Sequence, residues 1–238
     1  MKNNEKLISV LMSCHNSEKT IEKSVNSILD QTYSNFEFLI NDDFSSDRTS
    51  KIINDYRKKD ERIKIFKNPS NIGLTKSLNI LIKQAKGKYI ARQDADDRSF
   101  EDRLNKQLNI LENTDYKICT TRALIKNSKR KIPKFSIYIP KKIITRYKNP
   151  FIHGTLMIEK ELLDKTGGYD DNFYYAQDYK LFWDLLNMGN KIKTLHDVLY
   201  ELNMVNNISS TKTIEQRYYA DCVKNKITPN TEIKNLNL

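Results

Sequence analysis

Residues 87–98 read GKYIARQDADDR: a β-prone run over 88–91 delivers Asp94, Asp96 and Asp97 within four positions, and apolar residues recur at helical spacing at Phe100, Leu104, Leu108 and Leu111. Three carboxylates this close repel and raise one another's pKa unless a divalent cation or an arginine neutralises them. An all-oxygen set suits Mg²⁺ or Mn²⁺ rather than zinc. An isolated acidic pair is commonly just a solvated turn. Here the position favours a site, because the run follows a strand and precedes a helix expected to be capped by Ser99 with Asp102 three residues on. Open α/β sheets bind ligands at such strand ends.

Upstream, the same strand-helix unit recurs. Residues 8–12 form an apolar run ending in Ser13-Cys14-His15-Asn16, followed by Ile21, Val25, Ile28 and Leu29 at helical spacing. Residues 36–40 end in Asp42-Asp43, and Ser46 or Asp47 is a good cap for a helix burying Ile52, Ile53 and Tyr56. Residues 63–66 alternate as a half-buried strand, then Asn71-Ile72-Gly73 leads into a helix with Leu74, Leu78, Leu81, Ile82 and Ala85 on one face and Gly87 as its C′ residue. Four units in a row predict an α/β fold with a mostly parallel central sheet flanked by helices.

Downstream, residues 126–148 break the pattern with a basic, proline-punctuated stretch carrying Phe135, Tyr138 and Tyr147. It reads as an acceptor-side loop or as a solvated connection; a nucleic-acid groove would want an accompanying motif. A strand is expected over 155–158, then a helix over Leu162 and Leu163, a turn at Gly167-Gly168, and a helix from about Asp178 with Leu181, Phe182, Leu185 and Leu186 inward, ended by Gly189. A closing strand over 198–202 completes one domain, 1–205, and residues 206–238 read as a loosely held polar tail.

The chain has 238 residues and a net charge of +11, which fits phosphates, nucleic acid or an anionic membrane as partners. Its three cysteines, Cys14, Cys119 and Cys222, are odd in number and lack CxxC spacing, so a reducing cytoplasm is expected and a disulfide framework or zinc site is not. No signal peptide or stretch of ~20 apolar residues is seen, so any membrane contact is expected to be peripheral, at the inner face.

The carboxyl ends of parallel strands open on one edge, so Ser13, His15, Asp43 and the 94–97 carboxylates are expected in one crevice. A carboxylate at the second strand end suits a nucleobase imide or ribose, and a metal at the fourth suits a diphosphate. A dehydrogenase would need GxGxxG after the first strand, and an NTPase GxxxxGK[ST]; neither is present.

At these residues the chain resembles the family 2 glycosyltransferases of the GT-A fold. The resemblance runs over residues 7–209, through MSCHN at 12–16, SILDQTYSNFEFLINDD at 27–43, the NxG of 71–73, GKYIARQDADD at 87–97, NPFIHGTLMI at 149–158, GGYDDNFYYAQDYKLFWDLL at 167–186 and YELNMVNNISS at 200–210. Phe44 stands where glycine is frequent, His15 where tyrosine is common, and Glu201 and Asn203 where many members carry arginine and histidine. The resemblance implies that Asp43 contacts the base, most often uracil, that Asp94 and Asp96 form the DxD element holding ribose, metal and diphosphate, with Asp96 on the Mg²⁺ or Mn²⁺, and that Asp178 is the general base. His15 either stacks near the base or satisfies a backbone carbonyl; His153 suits an acceptor pocket or a core role; His196 reads as structural. Lys76 faces the diphosphate or is a solvated helix lysine, and Asp178 could instead be a helix cap.

The expected activity is metal-dependent, inverting transfer of a sugar from a nucleotide-diphosphate sugar, most often a UDP-sugar, to a hydroxyl of a glycan or lipid-linked acceptor in bacterial-type surface polysaccharide synthesis. Peripheral contact with an anionic membrane is expected, and no nucleic-acid partner. The rival is a catalytically idle GT-A-like protein or a basic nucleic-acid-binding one.

Overall fold

Parallel pairing of β1 (Ile8–Cys14) with both β2 (Phe36–Asp42) and β4 (Tyr89–Arg92) fixes the centre of the sheet. The structure, a computed structural model, describes residues 6–204 and 211–230. Beyond β2 lies β3 (Ile63–Lys67), also parallel. On the other side β8 (Met157–Glu159) pairs antiparallel with β4 and with β6 (Ile118–Ile125), and β6 runs parallel to β9 (Ile192–Leu202), whose edge carries the two-residue β5 (Arg98–Ser99). The first four strand-helix units thus form the parallel half, and the order among the described residues is β3-β2-β1-β4-β8-β6-β9-β5.

Alternation along β1 sends Val10 and Met12 to one face and Leu11 to the other, and both faces are covered. Val10 and Met12 pack with Ile21, Val25 and Ile28 of α1 (Ile21–Leu29), Ile53 of α2 (Thr49–Lys59) and Leu104 and Leu108 of α4 (Arg103–Asn113). Leu11 packs with Leu78, Leu81 and Ile82 of α3 (Leu74–Gln84) and Leu181, Phe182 and Leu185 of α7 (Gln177–Asn187). Each such side chain contributes roughly 1.5 to 3 kcal/mol on burial, so the two layers fix the edge from which the strand-end loops emerge.

Several local expectations are corrected. Ser99 does not cap α4: it lies in β5 and its hydroxyl donates to Gln93 Oε1 (2.6 Å), while the Leu104 N–H is satisfied by Gln31 Oε1 (2.9 Å). Phe100 is half-buried and outside the helix. Asp47 does serve α2, accepting the Thr49 N–H at 2.9 Å. Gly87 has no left-handed backbone; a Cβ there would lie 2.6 Å from the Ser9 nitrogen, so glycine is required by close approach. β8 starts later than expected because 153–155 form a 3₁₀ turn, and β9 starts earlier, at Ile192, by pairing with β6. The basic stretch holds β7 (Lys131–Ile132), hairpinned onto β6, and α5 (Lys141–Ile144). Helix α6 (Lys160–Lys165) follows β8 and buries Leu162 and Leu163. The described part of the polar tail is not loosely held: α8 (Thr213–Asn225) buries Tyr219, Cys222 and Val223 against Phe173, Tyr175 and Tyr179.

Candidate functional site

Register places the ends of β1, β2 and β4 side by side, with Cys14 opposite Asp42 and Leu11 opposite Arg92. Adjacent strands are ~4.8 Å apart, so the loops carrying Ser13 and His15, Asp43, and Asp94 emerge along one edge.

The first two loops are laced together. Asp43 N–H donates to the Cys14 carbonyl (2.8 Å), His15 Nδ1 meets the Asp43 carbonyl (2.8 Å), and Asn16 Oδ1 accepts the Ser46 N–H (2.9 Å). Asn16 and Phe44 take left-handed backbones (φ 48° and 64°), a conformation that a bulky residue adopts at a cost. His15 therefore satisfies a backbone carbonyl while its ring stays exposed. The Asp43 carboxylate is buried and accepts from Asn68 Nδ2 (2.8 Å), the Ile72 N–H (2.9 Å) and the Gly73 N–H (2.8 Å). It ties down the loop that opens α3, a role the sequence reading did not give it. One of its roughly four lone-pair directions remains for a ligand. Lys76 stands exposed on the first turn of α3, and Ser13 is half-buried at the end of β1.

Around the third loop the carboxylates divide their work. Asp94 Oδ1 is held at 2.6 Å by the wholly buried Arg92, which also donates to the Leu11 carbonyl (2.6 Å) and, through Nε, to His153 Nε2 (3.3 Å). Arg92 can only donate, so His153 Nε2 is an acceptor and the Tyr169 hydroxyl, 2.7 Å away, donates to it. Burial and then the Arg92 charge hold the imidazole pKa well below its ordinary 6.5. His153 is thereby a neutral strut behind Asp94.

Asp97 is buried, accepts the Asn203 N–H (2.7 Å) and is bonded by Tyr200, whose hydroxyl also accepts the Asp94 N–H (3.1 Å). Burial first, then the charges of Asp94 and Asp96, raise its pKa well above the usual carboxylate range. A Cβ on Gly154 would fall 2.2 Å from the Tyr200 hydroxyl and 2.7 Å from Asp94 Oδ2, so this corner requires glycine. Arg103, buried beneath it, donates to the Arg92 and Gly154 carbonyls (both 2.8 Å), and burial lowers its pKa to about 10.

Asp96 is the carboxylate left to the cleft. Its contact with Asn203 Nδ2 is long (3.5 Å), and burial followed by the Asp94 charge pushes its pKa up to about 6. It opens on a cavity of about 610 Å³ that Lys23, Lys126 and Glu201 also line. Asp178 sits in the first turn of α7, after Ala176 at φ 51°, and accepts from Asn149 Nδ2 (2.7 Å). Burial, and less strongly the charge of Asp94, raise it to about 6. It lies inside the helix rather than at its cap, and its field reaches Asp94. The structure thus centres on Asp94: Arg92 holds it, His153 backs Arg92, and its charge acts on Asp96 and Asp178, with Asp43, Ser13 and His15 farther along the edge.

Sequence reading missed Arg92, Tyr200, Tyr169 and Arg103. The arginine next to three carboxylates was the available signal for Arg92; Tyr200 comes from β9, Tyr169 from the loop before α7 and Arg103 from the start of α4, and none of them carries a local one.

A family model, glycosyl transferase family 2, matches residues 9–170. The chain is 36% identical over 189 residues to the O-antigen biosynthesis glycosyltransferase WbnJ of Escherichia coli, covering 76% of this chain and 72% of that protein. It is 31% identical over 206 residues to the E. coli UDP-Glc:alpha-D-GlcNAc-diphosphoundecaprenol beta-1,3-glucosyltransferase WfaP, covering 83% and 78% respectively. Among solved structures, the mannosyltransferase PcManGT from Pyrobaculum calidifontis, in complex with GDP-Man and Mn²⁺, superposes with a TM-score of 0.75 at 18% identity, covering 96% of this chain and 67% of that one. At that identity the likeness speaks for the fold, which is GT-A.

Proposed function

The chain belongs to glycosyl transferase family 2, and from that premise we propose that it moves a sugar, with inversion, from a UDP-sugar to a hydroxyl of a glycan or lipid-linked acceptor in surface polysaccharide synthesis. The observation that carries the reading is that Asp94, fixed by Arg92, acts through its charge on both Asp96 and Asp178, two carboxylates that burial above all raises to about 6. The donor and acceptor follow WfaP, named for UDP-Glc and a diphosphoundecaprenol-linked sugar.

The donor set fits a hard divalent cation. Asp94, Asp96 and Asp97 outnumber the one arginine paired with them, and Asp94 keeps Oδ2 beyond its bond to Arg92. Among the described residues no group of three or more His, Cys, Asp or Glu side chains could hold a metal. Two carboxylates, Asp96 with Asp94, would hold Mg²⁺ or Mn²⁺ and leave positions for diphosphate oxygens and water, as these ions prefer. When bound, the ion offsets charge building on the departing diphosphate.

The chain's own groups divide the remaining work. Arg92 fixes Asp94, and Tyr200 and the Asn203 N–H fix Asp97, so the cleft needs little rearrangement when a donor arrives. Asp43, His15 and Ser13 face the nucleoside end, and Lys76 is within the donor's reach as an exposed cation. Asp178 removes the acceptor proton; a pKa near 6 leaves it mostly ionised at pH 7 while close enough to neutrality to be an effective base. His153 bounds the acceptor side through its ties to Tyr169 and Arg92.

No described helix is long and apolar enough to cross a membrane; the +11 charge supports peripheral contact with an anionic one at the inner face. The test is a screen of UDP-, GDP- and dTDP-sugars with Mn²⁺, reading nucleotide release and the product anomer by NMR. No turnover of any donor, together with thermal stabilisation by an oligonucleotide and none by UDP, would sink the proposal.

A further inference from the structure

A cavity of about 290 Å³ between α5, α7 and α8 shares no residue with the strand-end site; Lys142, Thr145, Arg146, Trp183, Lys224 and Lys226 line it. Four of these are cations, and no carboxylate is among the lining residues. Lys224 is paired with Asp221 (2.7 Å), whereas Lys142, Arg146 and Lys226 make no ion pair among the described residues. Like charges brought onto one concave surface repel, and an anion seated between them relieves that repulsion. The Thr145 hydroxyl is buried without a hydrogen-bond partner among the described residues.

Each lining segment also carries an exposed apolar side chain next in sequence to one of its lining residues. Ile143 (53% exposed) and Tyr147 (72%) adjoin Lys142 and Arg146, Met188 (51%) follows Asn187, and Ile227 (54%) follows Lys226. A soluble anion accounts for the cations but not for these exposed apolar neighbours in sequence. A bilayer accounts for both, since apolar side chains enter the acyl boundary while basic ones meet the headgroups. We propose that this cavity seats the phosphate of an anionic phospholipid and that α5 and the C-terminal end of α8 dock the enzyme on the bilayer. The inference rests on the peripheral membrane contact proposed above and assigns its place.

Trp183 is the chain's single tryptophan, so its fluorescence reports on this cavity. The full chain is titrated at low ionic strength with phosphatidylcholine vesicles, with and without phosphatidylglycerol, and separately with inorganic phosphate. Anionic vesicles should shift the Trp183 emission saturably and neutral ones should not. Removing two cavity cations, Arg146→Gln with Lys226→Gln, should weaken vesicle binding about 30-fold, roughly five- to sixfold per basic side chain. Removing two from the same basic stretch outside the cavity, Lys129→Gln with Arg130→Gln, should weaken it less than about threefold. Arg146→Lys should bind like the parent, and melting temperatures show that each variant is folded. Equal losses in the two double variants would leave membrane contact standing but overturn the cavity as its site. A wild-type chain indifferent to anionic vesicles would overturn both, and a response to inorganic phosphate without one to vesicles would make this a soluble-anion site.

Discussion

Replacing Asp178 by asparagine should stabilise the protein while disabling it. The carboxylate lies partly buried in the first turn of α7, and its pKa is raised from 3.8 to about 6, chiefly by burial and secondarily by Asp94. A shift of about two units corresponds to at most about 3 kcal/mol, and partial exposure reduces this to about 1 to 2 kcal/mol. The folded state binds this proton more tightly than the unfolded one, so the wild type loses stability as pH rises from about 4 to 6 and stays lower above that. Asparagine carries no charge to desolvate and can still accept from Asn149. Its advantage should be near zero at pH 4 and reach about 1 to 2 kcal/mol at pH 7.5, read by denaturant unfolding across that range. Transfer should fall about 10² to 10⁴-fold, since the group that takes the acceptor proton is gone. UDP affinity with Mn²⁺, measured by calorimetry, should hold. The wild-type pH–rate profile should climb tenfold per unit below about 6, and the variant's residual rate should lack that limb. A variant that binds and transfers normally, or one that keeps the acidic limb, would refute the role of Asp178 as base.

Other substitutions separate the parts of the cleft. Asp96→Asn should lose most Mn²⁺-dependent transfer yet melt no lower than wild type without metal, because it removes a carboxylate whose pKa burial and Asp94 raise to about 6; undiminished transfer would exclude Asp96 as the metal ligand. Asp43→Ala should weaken UDP binding and also cost about 3 kcal/mol of stability, since it strands donors on Asn68, Ile72 and Gly73. An unchanged melting temperature would mean the 68–73 loop holds without it, and unchanged UDP affinity would remove it from the nucleotide site. Gly154→Ala should destabilise by about 1 to 3 kcal/mol by driving the Tyr200 hydroxyl off Asp94 and Asp97, and a crystal structure with Tyr200 unmoved would contradict this.

The sequence alone determined the strand-helix alternation, the mostly parallel sheet flanked by helices, and the loops that carry chemistry, because apolar periodicity and strand-end polarity are local signals. It also carried the family, through motifs whose order spans most of the chain. Tertiary structure alone decided what each polar group is bonded to. Nothing near Asp43 in sequence shows that it ties down the entry to α3, and although Arg92 stands two residues from Asp94, only the fold shows that it is buried against Asp94 and backed by His153 and Tyr169. The helix in the polar tail was hidden for the same reason. Its moderate periodicity becomes stable only against the aromatic cluster of Phe173, Tyr175 and Tyr179, and a helix of that length draws most of its stability from such packing. Partners far apart along the chain leave no local trace: the crowding of Asp94 and Asp96 was legible, but the burial that raises both Asp96 and Asp178, and the field of Asp94 at Asp178, exist only in the folded chain.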